Sequence, residues 1–208
     1  HYPLRRQRQM CIRDRSQEQC PEHLRTNRSA LTRWFGRTFY RGIGWNLEGS
    51  IADCERLLIV AAPHTSNWDF VYGICAVLGI NARVRWLGKH TIFVPGFAWF
   101  MRWLGGIPVN RAQPDAVMGY VDEAVKKDKG LIIVVAPEGT RKKSPKWKSG
   151  FLRIAEKNNC KIQLGALDFP SKRIVLGDMF EPTGDHEADI AAIIKYYGQF
   201  KGRYPDQF

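Results

Sequence analysis

Short apolar runs alternate with longer segments of helical periodicity along most of the chain. Residues 57–62 and 131–136 are two continuous apolar runs, and each ends at Ala-Pro followed by a polar cluster. Such runs are typical of strands that are buried on both faces of a sheet. Segments 70–78 and 115–127 have the length and periodicity of helices. The alternation predicts an α/β domain with the two apolar strands near its centre.

Shorter patterns predict the other elements of this domain. Strands are expected at residues 43–51, 84–87, 107–110, 162–167 and 173–176, and further helices at residues 150–157 and 187–199. In an open α/β sheet, ligands bind at the carboxyl ends of the strands. The polar clusters after the two central strands are therefore expected on one rim.

Residues 29–41 predict an amphipathic helix. One face is apolar and a second is basic, with Leu31, Trp34, Phe35 and Phe39 on the first and Arg33, Arg37 and Arg41 on the second. Such a helix can lie in a membrane interface, or its aromatic face can pack on the domain, and the pattern favours neither.

Residues 93–104 predict a very apolar short helix. The segment holds seven large apolar side chains and one charge, Arg102. It is too short to span a bilayer, but it suits a surface that faces a membrane or a wall of an acyl-chain site. It is the second candidate for an interfacial anchor.

The length of 208 residues suits one domain with a sizeable core. The net charge of +12 is uneven, since residues 1–41 hold ten Arg and three acidic residues and so carry +7. A basic surface suits nucleic acid, anionic lipid or a phosphorylated substrate.

Residues 1–22 are rich in Arg and Gln without a period, which predicts a disordered tail. The run at 6–16 resembles translated sequencing-adapter DNA, so this tail is a candidate non-native segment. We expect no secretory signal here and no transmembrane helix, because no apolar run approaches 18 residues. The five cysteines include no CxxC pair, which indicates neither a disulfide framework nor a zinc site.

A histidine and an aspartate follow the first central strand. His64 and Asp69 lie five positions apart, about 140° around a helix, so they do not share one face of a straight helix. They can meet only if His64 lies in the turn and Asp69 in the first helical turn, which Pro63 favours by keeping its neighbour out of the α region. An imidazole oriented by a carboxylate is a general base. Helix capping by Ser66 or Asn67 explains the same stretch without chemistry.

Two further clusters contain cations. Glu138, Gly139, Thr140 and Arg141 follow the second central strand and precede a lysine-rich run. Gly105 to Arg111 forms a glycine turn, a short apolar strand and an arginine. Arginine forks suit phosphate oxygens. A solvated basic loop is the ordinary interpretation of the first cluster, but its position directly after a buried strand favours a site, and the second cluster alone is a weak signal.

The three ordered blocks resemble those of the glycerolipid acyltransferase family, whose best-known members acylate lysophosphatidate or glycerol 3-phosphate. The blocks here are His-x4-Asp, then Gly-Ile-Pro-Val-Asn-Arg, then Pro-Glu-Gly-Thr-Arg, and the resemblance covers about residues 42–180. It implies a glycerol-3-phosphate acyltransferase-like α/β fold, with a central mixed, mostly parallel sheet flanked by helices. The chain then divides into a tail at 1–22, a basic and aromatic helix at 23–41, and an acyltransferase domain at 42–208.

The resemblance also implies roles for individual residues. His64 would be the catalytic base and Asp69 its orienting partner. The substrate-binding residues would be Arg111, Glu138, Gly139, Thr140, Arg141 and Lys148, with Arg111 on the acceptor phosphate. The stretch 160–164 lacks the proline that the family's fourth block normally has, which concerns the preferred acyl chain. Two single positions also depart from the common family pattern: Pro63 stands where many members have Asn, and Asn110 where they have Asp. We expect both departures to affect the choice of acceptor.

The expected reaction transfers a fatty acyl group from acyl-CoA or acyl carrier protein to the hydroxyl of a lysophospholipid such as 1-acylglycerol 3-phosphate. No metal or cofactor is expected. The expected partners are the acyl thioester, a phosphorylated lipid acceptor and an anionic membrane surface, for a cytoplasmic protein held peripherally at the membrane. One alternative keeps this machinery but uses another acceptor, such as an aminolipid. The other is a basic protein without catalysis that binds membrane or nucleic acid, which the lack of interleaved aromatics in loop 141–148 disfavours.

Overall fold

A seven-stranded sheet forms the centre of the molecule. The computed structural model describes residues 19–110, 114–127, 130–144 and 147–208. The strands are β1 (Asn46–Gly49), β2 (Arg56–Ala61), β3 (Val84–Lys89), β4 (Gly106–Val109), β5 (Leu131–Val135), β6 (Lys161–Asp168) and β7 (Arg173–Phe180). Their spatial order is β1-β7-β6-β2-β5-β3-β4.

Six α-helices accompany these strands: the first precedes β1, the last follows β7, and the other four connect strands. They are α1 (Ala30–Gly42), α2 (Asn67–Gly79), α3 (Ala98–Trp103), α4 (Pro114–Lys127), α5 (Gly150–Asn158) and α6 (His186–Tyr197) among the described residues. Short 3-10 turns lie at Glu22–Leu24, His90–Ile92 and Pro205–Gln207.

The sheet is mixed and mostly parallel, as the resemblance implied. Every neighbouring pair is parallel except β6 and β7, which are antiparallel. Strands β2 and β5 are adjacent and central, and Val60 is in register with Val135. The two Ala-Pro turns that follow these strands therefore lie side by side on one rim, which confirms the expected placement.

Apolar side chains cover both faces of the central strands. Alternate residues of β2 enter two different clusters, Leu58 and Val60 in one and Leu57 and Ile59 in the other. This division follows from the two-residue period of a strand. Tyr197 of α6 is fully buried, and its hydroxyl donates to the Val60 carbonyl oxygen at 2.5 Å, so α6 is fixed beneath the turn that follows β2.

Helix α1 packs with a different face from the one that its aromatic pattern suggested. Gly36 and Tyr40 are buried, and Arg37 Nε donates to the Gly79 carbonyl oxygen of α2 at 2.8 Å. Much of the aromatic face stays in solvent, with Leu31 exposed by 72%, Trp34 by 61% and Phe35 by 55%. The basic stripe thus supplies part of the packing, because an arginine stem is apolar and its head can satisfy the end of a neighbouring helix.

The structure corrects several predicted bounds. The strand expected at 43–51 is only the four-residue edge strand β1, the strand expected at 173–176 extends through β7, and the helix expected at 93–104 is only the six-residue α3. The prediction of a disordered tail at 1–22 is wrong for its last residues. Cys20 is fully buried, and the Gln19 carbonyl oxygen accepts from the Ile51 N–H at 2.8 Å. Residues 1–18 lie outside the described residues.

Candidate active site

The turn between β2 and α2 is built by a capping box. Ser66 precedes the first residue of α2, and its hydroxyl accepts from the Trp68 N–H at 3.1 Å. Asp69, in the first turn of the helix, accepts from the Ser66 N–H at 2.7 Å. These two side chains satisfy backbone donors that a helix start leaves without partners. The local sequence therefore fixes where the helix begins.

His64 and Asp69 meet in this turn, as their spacing required. The Nδ1 atom of His64 lies 3.2 Å from Oδ2 of Asp69. The aspartate side chain is 3% exposed, whereas the histidine side chain is 26% exposed. With Nδ1 directed at the carboxylate, Nε2 is the ring nitrogen that can take a proton from a bound hydroxyl.

Asp69 is held by several donors at once. Oδ2 also accepts from the Thr65 N–H at 2.8 Å, while Oδ1 is buried without a hydrogen-bond partner among the residues that the structure describes. Charge-assisted bonds of this length restrict the carboxylate to one position. Capping and orientation of the imidazole are therefore two roles of the same side chain, not competing explanations of the sequence.

Glu138 lies directly behind the histidine. Its two carboxyl oxygens both accept from the backbone N–H of His64, each at 3.0 Å, and it is 6% exposed. Burial, with a smaller contribution from nearby Asp69, raises the pKa of Glu138 to about 7, although the bond from His64 acts in the opposite direction. The sequence placed Glu138 in the acceptor site, whereas its observed contacts tie the β5 turn to the β2 turn.

The other predicted binding residues, except Arg111, lie on the loop after β5. Gly139 has a φ of +67°, a conformation that favours glycine, and its N–H closes a turn onto the Ala136 carbonyl oxygen. The Lys148 N–H donates to the Pro137 carbonyl oxygen at 3.2 Å, which brings this lysine back beside Gly139. Thr140, Arg141 and Lys148 are all exposed. Arg111 lies outside the described residues.

Comparison with known proteins adds to this geometry. The family model described as Acyltransferase matches residues 45–165, more than half of the chain. The chain belongs to the acyltransferase family. All the block residues lie within the matched range.

Two relatives illustrate the family. A 1-acyl-sn-glycerol-3-phosphate acyltransferase of Pseudomonas aeruginosa is 28% identical over 106 residues, which are 48% of this chain and 38% of that protein. The chain thus matches well under half the length of that relative. The crystal structure of the 1-acyl-sn-glycerophosphate (LPA) acyltransferase PlsC from Thermotoga maritima has the same fold, with a TM-score of 0.57 at 20% identity over 83% of this chain and 80% of that one.

The carboxyl-terminal segment of this family member also reaches the site, and no motif predicted it. The Tyr204 N–H donates to the Thr65 hydroxyl at 3.3 Å. With its amide nitrogen turned toward them, Gln207 donates to the carbonyl oxygens of Thr65 and Arg141. Phe208 meets Trp147 edge-to-face at 5.9 Å. The segment joins the loops that follow β2 and β5.

The described part of this family member contains no group of three His, Cys, Asp or Glu side chains placed to hold a metal ion. Nor does any helix in those residues have the length and apolar character needed to cross a bilayer.

Proposed function

We propose that this protein is an O-acyltransferase that moves a fatty acyl group from acyl-CoA or acyl carrier protein to the hydroxyl of a lysophospholipid, with 1-acylglycerol 3-phosphate as the first candidate acceptor. The observation that carries the proposal is the 3.2 Å contact between His64 Nδ1 and Asp69 Oδ2 at the carboxyl rim of the central strands. Membership of the acyltransferase family supports it.

His64 acts as the general base. Nε2 takes the proton of the acceptor hydroxyl as its oxygen attacks the thioester carbonyl carbon, and Asp69 stabilises the imidazolium that forms. Collapse of the tetrahedral intermediate forms the ester bond and breaks the carbon–sulfur bond. The imidazolium returns its proton to the departing thiolate, so the enzyme is regenerated without an acyl-enzyme intermediate.

Cationic residues on the same rim bind the phosphate of the acceptor. Arg141 and Lys148 are exposed on the loop after β5, and this loop contacts His64 through Glu138. Arg111 follows β4, whose carboxyl end lies on this rim, and is assigned to the acceptor phosphate by its block. Gly139 and Thr140 shape the acceptor site between these charges. An arginine fork recognises phosphate oxygens in pairs, which favours a phosphate monoester over an uncharged acceptor.

The protein works at a membrane surface on its cytoplasmic side. Its acceptor is a lipid, and the flank formed by α1 and α3 exposes large apolar side chains, with Trp34 exposed by 61% and Trp99 by 68%. Tryptophan at the surface of a bilayer is favourable because its ring is amphipathic. The excess of basic residues suits anionic lipid.

The purified protein should convert 1-acylglycerol 3-phosphate and labelled acyl-CoA or acyl carrier protein to the diacyl product. Monoacylglycerol and an aminolipid serve as parallel acceptors of matched chain length. Preference for the phosphorylated acceptor is expected. Preference for the aminolipid would establish the alternative acceptor, and absence of transfer from either donor to any of the three would refute the proposal.

Arg111→Ala should raise the KM for the phosphorylated acceptor on the order of ten-fold or more, because a charge-assisted contact is lost, while the KM for the acyl donor changes little. Initial rates with each substrate varied in turn measure both constants. Lys127→Ala, at the exposed end of α4 where the chain returns to the amino end of β5, is the matched control. An equal loss for acceptor and donor would remove the role assigned to Arg111.

A further inference from the structure

A basic cleft lies at the amino end of β3, away from the candidate active site. Its volume is about 200 Å³, and its lining residues are Thr26, Asn27, Arg28, Arg83, Val84, Arg85, Trp103 and Gly105. Three of these eight residues are arginines, and none of the described residues that line the cleft is acidic. A space this small and polar suits one charged group, whereas an acyl chain or a nucleotide needs a larger pocket.

The structure holds the arginines of the cleft close together. Arg28 donates from Nη1 to the Ala82 carbonyl oxygen at 2.9 Å, and its guanidinium lies 5.8 Å from the centre of the Trp103 ring. Burial and the neighbouring charge of Arg85 lower the pKa of Arg28. Guanidinium groups gathered at one small cleft attract an anion. The cleft is therefore complementary to an anion that accepts several N–H bonds, such as a phosphate.

The surroundings of the cleft indicate where this anion resides. Trp103 lines the cleft and is itself exposed by 48%, and Trp99, one turn earlier in α3, is exposed by 68%. Leu31, three residues after Arg28, is exposed by 72%. Large apolar side chains thus flank the arginines on both the α1 side and the α3 side. Exposed tryptophans beside phosphate-binding arginines are typical of a protein surface that lies on a bilayer.

The connection from β3 to β4 runs from the rim that holds the candidate active site to the cleft. Strands β3 and β4 are parallel, so the connection through α3 returns from the carboxyl end of one to the amino end of the other. Ile92, Val94 and Phe97, near the start of this connection, are exposed by 38%, 50% and 47%. One bilayer along this flank can touch the cleft at one end and approach the rim at the other.

We propose that the cleft formed by Arg28, Arg83 and Arg85 binds the phosphate of an anionic phospholipid headgroup and so docks the flank of α1 and α3 on the membrane. The site deepens the proposed peripheral membrane association. It is distinct from the acceptor site, because Val84 pairs with Ile132 at the amino end of the central strands. His64 lies beyond their other end, about 15–20 Å away at the rise of a strand.

Vesicle flotation of the full chain tests this site. The vesicles are phosphatidylcholine alone or phosphatidylcholine with about one third phosphatidylglycerol. Arg83→Gln with Arg85→Gln should reduce binding to the anionic vesicles more than twenty-five-fold, which is more than the loss of two unspecific charges at about five-fold each. Arg83→Lys with Arg85→Lys keeps the charge but loses the planar fork, so binding should fall between the Gln pair and the wild type.

The matched control removes the same charge elsewhere on the flank, by Arg33→Gln with Arg41→Gln on α1. Equal loss of flotation for the control and the Gln pair would show diffuse attraction only and would overturn the site, as would unchanged flotation of the Gln pair. If the Gln pair does not fold, as judged by circular dichroism, the single Arg83→Gln and Arg85→Gln variants replace it, and the same comparison is made with Arg33→Gln.

Two further measurements are needed. One distinguishes a lipid headgroup from free phosphate as the source of the anion, and the other distinguishes a loss of membrane docking from a loss of catalysis. Titration with inorganic phosphate, followed by calorimetry, should show weak binding; loss of that binding in the Gln pair while flotation stays intact would identify a site for free phosphate and refute docking. Acyl transfer to a short-chain acceptor dispersed without vesicles should stay within two-fold of wild type in the Gln pair. Loss of that activity with a retained fold would place the cleft in the catalytic machinery and contradict the proposal.

Discussion

Asp69 has the most constrained position in the candidate site. Its Oδ2 atom faces the imidazole of His64 and two backbone N–H groups, all within 3.2 Å. A carboxylate accepts all three bonds with a negative charge, whereas an amide oxygen in the same place would accept them as a neutral group. An amide at position 69 therefore tests whether the carboxylate acts on His64 or only fills space.

Asp69→Asn should lower kcat about 10²-fold or more, because the amide fits the space but has no negative charge to stabilise the His64 cation. The loss of one charged capping contact should also reduce the free energy of unfolding by about 1–2 kcal/mol. Steady-state kinetics and urea denaturation measure the two effects. Ser66→Ala is the control: it removes a cap with a similar loss of stability and should keep most of the activity. Similar kinetics for the two variants would mean that Asp69 serves the helix alone.

Glu138 makes stability depend on pH. Its pKa in the folded protein is about 7, above the ordinary value of 4.5, because burial disfavours the charged form. The folded state therefore binds this proton more tightly than the unfolded chain does. The stabilising contribution is present in full below pH 4.5 and is lost as the pH rises through about 7.

The free energy of unfolding of the wild type, relative to that of Glu138→Gln, should fall by about 3 kcal/mol as the pH rises from about 4.5 to above 7. Urea denaturation of both proteins at several pH values gives this difference. Parallel pH profiles for wild type and variant would show that Glu138 titrates near its ordinary value.

For individual residues, the sequence predicted the contacts between residues that lie close together in the chain. The His64–Asp69 contact follows from a proline, a cap and a five-residue spacing, all within one turn. The bond between Glu138 and the His64 backbone joins positions 74 residues apart, and only the pairing of β2 with β5 brings them together. A spacing rule cannot show such a contact, so the sequence assigned Glu138 to the acceptor alone.

Among the elements, the segment after α6 adds a support to the site. Gly202 is buried, and a Cβ at this position would lie 2.5 Å from the Thr65 hydroxyl oxygen and 3.3 Å from the Pro63 Cβ. Thr65 is the residue whose N–H donates to Asp69. The close approach of the segment thus depends on the absence of a side chain at residue 202.

Gly202→Ala should displace the segment or Thr65 and lower kcat/KM on the order of ten-fold to a hundred-fold, because small misplacements of a catalytic pair are costly. The control is Gly73→Ala in α2, where no atom lies within 4 Å of the added Cβ. The control should keep its activity and gain a little stability, since alanine favours a helix. Unchanged kinetics for the Gly202 variant would show that the segment does not support the site.

The elements that the sequence predicted best are those that carry strong apolar runs. Strands β2 and β5 appear at the centre as expected, because a run buried on both faces has few other places in an α/β sheet. Helix α1 was located well, but the face that packs was not. Its contact with Gly79 depends on how two helices pack together. The periodicity of the aromatic residues within one helix does not predict such packing.

Across the whole molecule, two surfaces have different chemistry. One is the rim at the carboxyl ends of the central strands, with a histidine that is 26% exposed and cations on the loop beside it. The other is the flank of α1 and α3, apolar and exposed, with arginines at its far end. A lipid acceptor needs both: a surface that meets the bilayer and a site where a hydroxyl can lose its proton.

The net charge of +12 suits the proposed membrane surface. The charge predicted an anionic partner but not its kind, because lipid, nucleic acid and phosphorylated substrates share that property. Exposed apolar side chains beside the arginines favour a bilayer. The choice depends on which residues share a surface, and that is set by the fold.

The most direct test of the proposed chemistry is His64→Ala. The backbone bond from residue 64 to Glu138 does not involve the ring, so the fold should persist. We predict that kcat for transfer from the acyl thioester to 1-acylglycerol 3-phosphate falls about 10³-fold or more, while the thermal midpoint changes little and His90→Ala, an exposed control, keeps wild-type activity. A folded His64→Ala protein that still transfers the acyl group at the wild-type rate would contradict this prediction.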